Sequence, residues 1–375
     1  MTRKLHIVSS VGDVTERIWW SGTPYAIWQA ILRRRGDVET HNVMLGYRLQ
    51  RIIGWGNALL GLGKYNPTRV GFGHALSVRR AQAIVDKAGA ADFLHIGSAH
   101  LPVKPRPGQR HWMFTDGSVF FEIVNPNNIF ARYPGHRREL VKHERAMARQ
   151  LDGVFTTADY VAQSFIEKDG MPPERVVPVK SGLGHILPDP GVKDYAGGYI
   201  LFIAKQNFIG KGGRLLLDAF EIVRRERPQT RLVIIGNVDD VTQQEDLPRM
   251  QNDAAIDFYN YDTPEYRTLL AGATLYAGPA DNEPWGIVYL ESLTVRTPIL
   301  GLAHNAFPQF AADGAYGFTA EAATPEAVAT AILDALSDPD RLARMGAAGR
   351  EHVLAEYVWD RVVDHILSRY PEQAA

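Results

Sequence analysis

Short apolar runs alternate with helical patterns in two successive series along this chain, and this alternation narrows the folds that it can adopt. The runs have the length of buried strands, and the segments between them are long enough for helices. Repeated alternation of this kind is typical of a parallel sheet covered by helices. The sequence therefore predicts an α/β protein with two such sheets. The predicted strands are 5–11, 38–42, 93–97, 111–114, 153–156 and 176–179 in the first series, and 199–204, 231–236, 256–259 and 273–277 in the second.

A segment rich in Pro and Gly, 188–191, separates the two series. Its sequence, Pro-Asp-Pro-Gly, is typical of a linker. With 375 residues the chain is long enough for two domains of ordinary size. We therefore expect a domain boundary between residues 187 and 188.

Charge is divided unevenly between the two halves of the chain. Residues 1–180 hold 25 Lys and Arg against 15 Asp and Glu, whereas the remaining residues hold 16 against 27. This excess of cations predicts a surface that faces an anionic acceptor or lipid headgroups, although any single basic cluster is also explained as a solvated helix face.

Within this basic half, the segment 46–76 combines Trp55 with several glycines and arginines. The segment is either an amphipathic insertion facing a membrane or acceptor, or a loop and helix packed on the first sheet.

Composition excludes several kinds of chemistry and location. The sequence has no cysteine, which rules out a thiol nucleophile, a disulfide and a Cys-based metal site. The apolar run 5–11 is too short for a signal peptide and fits a first buried strand. No run approaches the ~20 apolar residues of a membrane-spanning helix. We therefore expect a cytoplasmic protein, and we expect no nucleic-acid partner.

The segment 279–291 carries the strongest indication of function. It comes after the predicted strand 273–277 and places Glu283 and Glu291 on either side of a Pro-Trp-Gly turn. In α/β sheets, ligands bind beyond the carboxyl ends of the strands. Two glutamates eight residues apart on one helix would point about 80° apart. They converge on one ligand more easily if Glu283 lies in the loop and only Glu291 on the helix.

The helix start between the two glutamates adds a second way of holding a ligand. The N–H groups of Gly286, Ile287 and Val288 would lie at a helix N-terminus, which favours phosphate. Carboxylates that hold hydroxyls, next to a helix end that holds phosphate, together predict a sugar-nucleotide site. The alternative is a pair of solvated glutamates on a surface helix.

The segment 279–291 resembles the retaining glycosyltransferases of family 4, which have a Glu-x7-Glu signature. The resemblance continues through 291–293, 296–301 and 313–318 and covers about 195–360 well. It implies the GT-B fold, with two Rossmann-like domains facing each other across a cleft. It also implies that the C-terminal helix crosses back to the N-terminal domain at the interruption 357–359. The expected domains are an acceptor-binding domain, 1–187 completed by 358–375, and a donor domain, 188–357.

The resemblance also assigns roles to donor-site residues. Lys205 and Lys211 match the basic pair that contacts the donor diphosphate, and Lys205 stands where Arg is common. Glu291 would hold the ribose hydroxyls and Glu283 the sugar hydroxyls. Tyr261 belongs to the loop that reads the nucleobase. The alternative for the two lysines is an ordinary surface position; a Walker A loop is excluded because Gly212-Gly213 stands where its hydroxyl residue would be.

Two further residues come from the first half of the chain. Gly22 lies after the first strand and, by resemblance, belongs to a glycine loop that approaches the diphosphate or the acceptor; the alternative is an ordinary capped turn. Asp116 ends the strand 111–114 in the region where many family members place a histidine. It would orient the acceptor hydroxyl or face the developing oxocarbenium charge, or else it caps the next turn.

The function that the resemblance implies is retaining, metal-independent transfer of a hexosyl unit. The donor would be a UDP- or GDP-sugar, with no cofactor. The acceptor would be a glycan or lipid-linked saccharide of cell-envelope or polysaccharide biosynthesis, anionic in character, with peripheral membrane contact through the basic half. The alternatives are a disaccharide synthase or phosphorylase-like enzyme with a soluble acceptor, and a non-catalytic sugar-nucleotide-binding protein.

Overall fold

The computed structural model describes residues 3–62, 67–124, 133–184, 186–240, 242–281 and 283–370. The chain divides into two compact units: Met1–Gly184 together with Trp359–Ala375, and His185–Val358. Residues 63–66 of the segment 46–76, and residues 371–375 of the expected C-terminal extension, lie outside the described residues. Each unit has its own parallel sheet and its own apolar core.

The first unit is built on a parallel sheet with the order β2-β1-β3-β4-β5-β6 in the described residues. The strands are β1 (Leu5–Ser9), β2 (Val38–Asn42), β3 (Asp92–Ile96), β4 (Arg110–Thr115), β5 (Gly153–Thr156) and β6 (Val176–Pro178). The helices are α1 (Thr23–Leu32), α2 (Tyr47–Leu59), α3 (Gly71–Lys87), α4 (Val119–Val124), α5 (Pro134–Gln150), α6 (Asp159–Glu167) and, from the C-terminus, α14 (Trp359–Ser368).

The C-terminal helix α14 is part of the first unit because its apolar face enters that core. Ile366 is fully buried among side chains of the first sheet. Arg34 at the end of α1 donates to Asp364 at 2.5 Å, and the Tyr370 hydroxyl donates to the carbonyl of Phe93 at 3.0 Å. The chain therefore leaves this unit after Gly184 and returns to it at Trp359.

The second unit is built on a parallel sheet with the order β12-β11-β10-β7-β8-β9 in the described residues. The strands are β7 (Tyr199–Ile203), β8 (Leu232–Gly236), β9 (Ile256–Asn260), β10 (Ala273–Ala277), β11 (Ile299–Leu302) and β12 (Gly317–Ala320). The helices are α7 (Gly213–Glu226), α8 (Leu247–Asn252), α9 (Tyr266–Gly272), α10 (Ile287–Thr294), α11 (Phe307–Ala311), α12 (Pro325–Ser337) and α13 (Pro339–Glu356).

The order of the second sheet is that of a doubly wound α/β fold. Strand β7, the first of the unit, lies in the middle, with β8 and β9 on one side and β10, β11 and β12 on the other. The direction of winding therefore reverses between β7 and β10. Ligands of such sheets bind at the carboxyl ends of the two strands where the order reverses.

The predicted α/β class with two parallel sheets is confirmed, and the differences from the predicted elements have local causes. Strand β1 ends two residues early, at Ser9, where the chain turns. Helix α9 begins at Tyr266, after a turn in which the N–H of Thr263 donates to the carbonyl of Asn260. The segment 46–76 contains all of α2 and the start of α3. Among the described residues, no helix is both long and apolar enough to cross a bilayer.

Candidate active site

The loops after β7 and β10 meet at the point where the second sheet reverses its winding. Gly212 has φ +85° and precedes the first residue of α7. A side chain at this position would overlap the carbonyl oxygen of Pro279 in the other loop. Phe208 in the first loop is fully buried and packs edge-on to Phe202 of β7, with ring centroids 5.6 Å apart. The two loops are therefore held together by backbone contact and anchored to the core.

Lys211 and Glu283 form an ion pair between these loops. The Lys211 ammonium donates to Oε2 of Glu283. Burial lowers the pKa of Lys211 to about 8, so the side chain is mostly charged at pH 7 but easily loses its proton above that pH. A cation and a carboxylate that the sequence places 72 residues apart are thus brought into direct contact.

A second group of side chains surrounds Glu291, which lies on α10 as the spacing predicts. The hydroxyl of Tyr266 donates to Oε2 of Glu291 at 2.8 Å. Burial raises the pKa of Glu291, and the hydrogen bond from Tyr266 opposes that rise. The Lys205 ammonium lies 4.7 Å from the ring centre of Tyr261. Burial and the Glu291 carboxylate raise the pKa of Tyr261, which stays a neutral phenol at pH 7.

The turn before α10 presents the start of that helix beside Glu283. Gly286 has φ +78°, and a side chain there would collide with the Tyr289 ring and with Cγ of Glu283. The helix then begins at Ile287. The first N–H groups of an α-helix have no acceptor within the helix, and the helix dipole makes this end positive. Gly286, Ile287 and Val288 therefore present a site that suits a phosphate.

Trp285 holds this turn in place. Its ring is 8% exposed and packs edge-on to Phe310, with centroids 4.8 Å apart. The same ring lies 6.0 Å from that of Tyr357 at the end of α13. Glu283 and the start of α10 are consequently supported by a rigid aromatic cluster rather than by an exposed loop.

The two remaining predicted residues lie in the first unit, Asp116 at the carboxyl end of β4 and Gly22 at the start of α1. Asp116 comes directly after β4 and accepts a hydrogen bond from the indole N–H of Trp20 at 2.8 Å. Both residues line a cavity of about 410 Å³, which Arg69 and Gly97 also line. Gly22, with φ +81°, precedes α1. The residue before it, Ser21, has φ +53°, so the turn that opens α1 is a run of left-handed residues.

The structure thus brings the predicted donor residues of the second unit into two groups around α10, and it adds partners that sequence reasoning missed. Tyr266 is 25 residues from Glu291 and carries no motif of its own. Trp20 is 96 residues from Asp116. Both contacts depend on how strand ends meet in the folded sheet, which no local pattern shows.

Comparison with known proteins identifies relatives of the second unit. Residues 193–352 match the family model described as glycosyl transferases group 1. The GDP-mannose-dependent monoacylated alpha-(1-6)-phosphatidylinositol monomannoside mannosyltransferase of Corynebacterium glutamicum is 31% identical over 160 residues, which are 40% of this chain and 41% of that protein. The alpha-maltose-1-phosphate synthase of Mycolicibacterium smegmatis is 32% identical over 119 residues, 30% of this chain and 31% of that protein. This chain therefore spans less than half the length of these curated relatives.

Structural comparison extends the likeness to both units. The crystal structure of WaaG, a glycosyltransferase involved in lipopolysaccharide biosynthesis, aligns with a TM-score of 0.66 at 15% identity and covers 96% of this chain and 99% of WaaG. At that identity the likeness concerns the fold alone. It confirms the predicted GT-B class for the two α/β units.

Proposed function

We propose that the protein is a retaining hexosyltransferase that uses a nucleoside diphosphate sugar, because residues 193–352 match the family model of glycosyl transferases group 1. The observation that carries this proposal is the meeting of Lys211, Glu283 and the start of α10 where the second sheet reverses its winding. Cations and helix N–H groups suit a diphosphate, and carboxylates suit the hydroxyls of ribose and sugar. The names of the mannosyltransferase relatives favour GDP-mannose as the donor.

In the proposed reaction, the bond between the anomeric carbon and the donor phosphate oxygen breaks while a bond to the acceptor hydroxyl oxygen forms on the same face. The acceptor proton passes to the departing phosphate, and the nucleoside diphosphate leaves. Lys211 and the N–H groups of Ile287 and Val288 stabilise the negative charge that grows on this leaving group. Lys205 adds a second cation, and no metal is needed for this role. Glu283 orients the sugar, and Asp116 faces the acceptor.

A panel of nucleotides tests the donor site. We expect one of GDP, UDP and ADP to raise the unfolding temperature of the protein, with GDP the first candidate. Glu291→Gln will weaken the binding of that nucleotide about tenfold, because a charged hydrogen-bond acceptor for the ribose hydroxyls is replaced by a neutral one. Glu326→Gln, an exposed glutamate on α12, is the matched control. If none of the three nucleotides raises the unfolding temperature, the donor assignment is wrong.

The acceptor side of the proposal rests on α2, whose apolar residues face solvent. At 100° per residue, Arg48, Ile52, Trp55 and Leu59 fall within about 60° of one another. Ile52 is 70% exposed, Trp55 63% and Leu59 89%. The opposite face of the helix carries the buried Ile53. The sequence has no Asp or Glu from residue 40 to residue 85. An apolar face with arginines and no acidic residue fits an anionic lipid surface, so the acceptor is proposed to be lipid-linked.

Vesicle sedimentation tests this surface. The protein will sediment with vesicles that contain phosphatidylglycerol and much less with pure phosphatidylcholine. The double change Ile52→Ser and Leu59→Ser will lower the bound fraction at least tenfold. Each change removes an apolar side chain whose transfer from water into the lipid surface favours binding. Val192→Ser removes an equally exposed apolar side chain from the second unit and will leave sedimentation unchanged.

The soluble-acceptor alternative gives the opposite result in the same assay. It draws support from the likeness to a maltose-1-phosphate synthase, whose name describes a sugar phosphate product. If the wild-type protein does not sediment with anionic vesicles, or if the double variant sediments as the wild type does, the lipid-linked acceptor is wrong. The soluble sugar phosphate then becomes the preferred acceptor.

A further inference from the structure

Three side chains with metal-binding chemistry meet at one edge of the first sheet, away from the cavity at Asp116. They are His6 on β1 and Glu39 and His41 on the edge strand β2. The two strands are parallel, with His6 opposite Glu39 and Val8 opposite His41. Since side chains alternate along a strand, His6, Glu39 and His41 all lie on the same face of the sheet.

The donor atoms of these side chains have separations close to those of a metal site. Nε2 of His41 lies 2.9 Å from Nδ1 of His6 and 3.7 Å from Oε1 of Glu39. All three atoms lie within 4.8 Å of one another. Ligands about 2.0–2.2 Å from a tetrahedral Zn²⁺ are about 3.3–3.6 Å apart. The distance from His41 to Glu39 is close to that spacing. The two histidine nitrogens share a hydrogen bond and would move apart by about 0.5 Å, with loss of the proton between them, to bind the ion.

Packing fixes the His6 ring, whereas His41 and Glu39 on the edge strand are partly exposed and adjustable. The His6 ring is stacked between His41 and Phe93, with centroid distances of 5.2 and 5.0 Å. His6 is only 7% exposed, so its ring has little freedom to turn away. Oε2 of Glu39 pairs with the Lys4 ammonium at 2.6 Å, while Oε1 faces His41. Lys4 is exposed and can leave its partner without disturbing the core.

We propose that His6, Glu39 and His41 bind a divalent transition-metal ion, with Zn²⁺ the ion that fits best. Two imidazoles and one carboxylate are a known zinc ligand set, with the fourth position left to water. The ion would join the edge strand β2 to β1. Its role is independent of the donor site, because all three ligands belong to the first unit.

A metal titration of the full chain, prepared without a histidine tag and stripped with a chelator, tests the site. Zn²⁺ will raise the unfolding temperature, with the rise saturating at one equivalent, and native mass spectrometry will show one bound ion. Co²⁺ in its place will give the intense visible absorption of a tetrahedral complex. Mg²⁺ will have no effect, because it requires an octahedral set of oxygen ligands.

Variants at the edge strand separate binding from folding. The side chains of His41 and Glu39 are partly exposed, so replacing them will not disrupt the core. His41→Ala and Glu39→Gln will each weaken the binding of Zn²⁺ at least tenfold. Lys4→Met will tighten the binding of Zn²⁺, because it removes the cation that competes for the Glu39 carboxylate. If Glu39 had only a structural role, Lys4→Met would not change the affinity for Zn²⁺. His365→Ala, an exposed histidine on α14, is the control. Absence of one-equivalent binding in the wild type, or unchanged affinity in His41→Ala, would overturn the proposal.

Discussion

Lys211→Ala will lower the turnover number for sugar transfer by about 10²–10³-fold at saturating donor. This is the loss measured when one fixed group that stabilises a developing anion is removed from an enzyme site. Lys211 is the cation most firmly placed for that role, because it is held between two loops and paired with Glu283. Turnover is measured from release of the nucleoside diphosphate, with the acceptor present. Lys211→Arg keeps the positive charge and will retain more activity than Lys211→Ala.

Two measurements separate this effect from unfolding. Lys168→Ala removes a surface lysine of the first unit and will leave turnover unchanged. Lys211→Ala itself will still unfold cooperatively, because the loop is anchored by the buried ring of Phe208 rather than by the lysine. A wild-type turnover number in Lys211→Ala would remove Lys211 from the site, and with it the observation on which the proposed function rests.

Acid will destabilise the first unit strongly because it contains buried neutral histidines. Burial lowers the pKa of His100 and of His74 to about 3 and that of His111 to about 4, and it lowers the pKa of His95 well below its usual range. In the unfolded chain each ring titrates near a pKa of about 6.5. The unfolded state therefore binds more protons below that pH, and stability is lost as the pH falls.

Hydrogen bonds join three of these rings, those of His95, His100 and His111, and add to the effect of burial. Nε2 of His111 donates to Oε1 of Gln109, so Nδ1 of His111 accepts from Nε2 of His95, 3.0 Å away. Nδ1 of His95 then accepts from Nε2 of His100, 2.9 Å away. His95 and His111 each use one N–H and one lone pair, whereas Nδ1 of His100 has no partner among the described residues. A proton added to His95 or to His111 would bring two N–H groups face to face.

Unfolding at pH 7, 6 and 5 measures the effect. His74, His100 and His111, whose pKa values fall to about 3 or 4, each contribute about 2 kcal/mol of destabilisation at pH 5, so their sum is comparable to the whole stability of a domain. Tryptophan fluorescence reports chiefly on the first unit, which holds six of the seven tryptophans. His365→Ala, which removes an exposed ring, will leave the pH dependence unchanged. A first unit equally stable at pH 7 and pH 5 would contradict this account of the buried rings.

Local sequence predicts much of the second unit because its strands and loops obey strong local rules. The strand at 273–277, the turn at 284–286 and the helix that carries Glu291 are each indicated by neighbouring residues. The structure has all three in that order. The sequence also predicts Lys211 as a donor residue, but it does not predict the contact with Glu283, since that contact depends on β7 and β10 being neighbours in the sheet.

Features that depend on distant parts of the chain escape prediction. The composition of 46–76 leaves two interpretations of that segment open, and only burial shows that α2 turns Ile53 inward and Ile52 outward. The meeting of His6 with His41 likewise requires the parallel register of β1 and β2. In each case the residue types are visible in the sequence, but their grouping is fixed by long-range packing.

The contact between Gly212 and Pro279 has a consequence for how such a chain can diversify. Backbone atoms, not side chains, join the two loops there, so this contact between the loops does not depend on which side chains surround it. If the proposed function holds, substitutions at Tyr261 or Tyr266 would alter the preferred base or sugar without changing that contact. Under the proposed function, donor preference would therefore change by exchange of a few side chains, whereas a side chain at position 212 would overlap the Pro279 carbonyl and push the two loops apart.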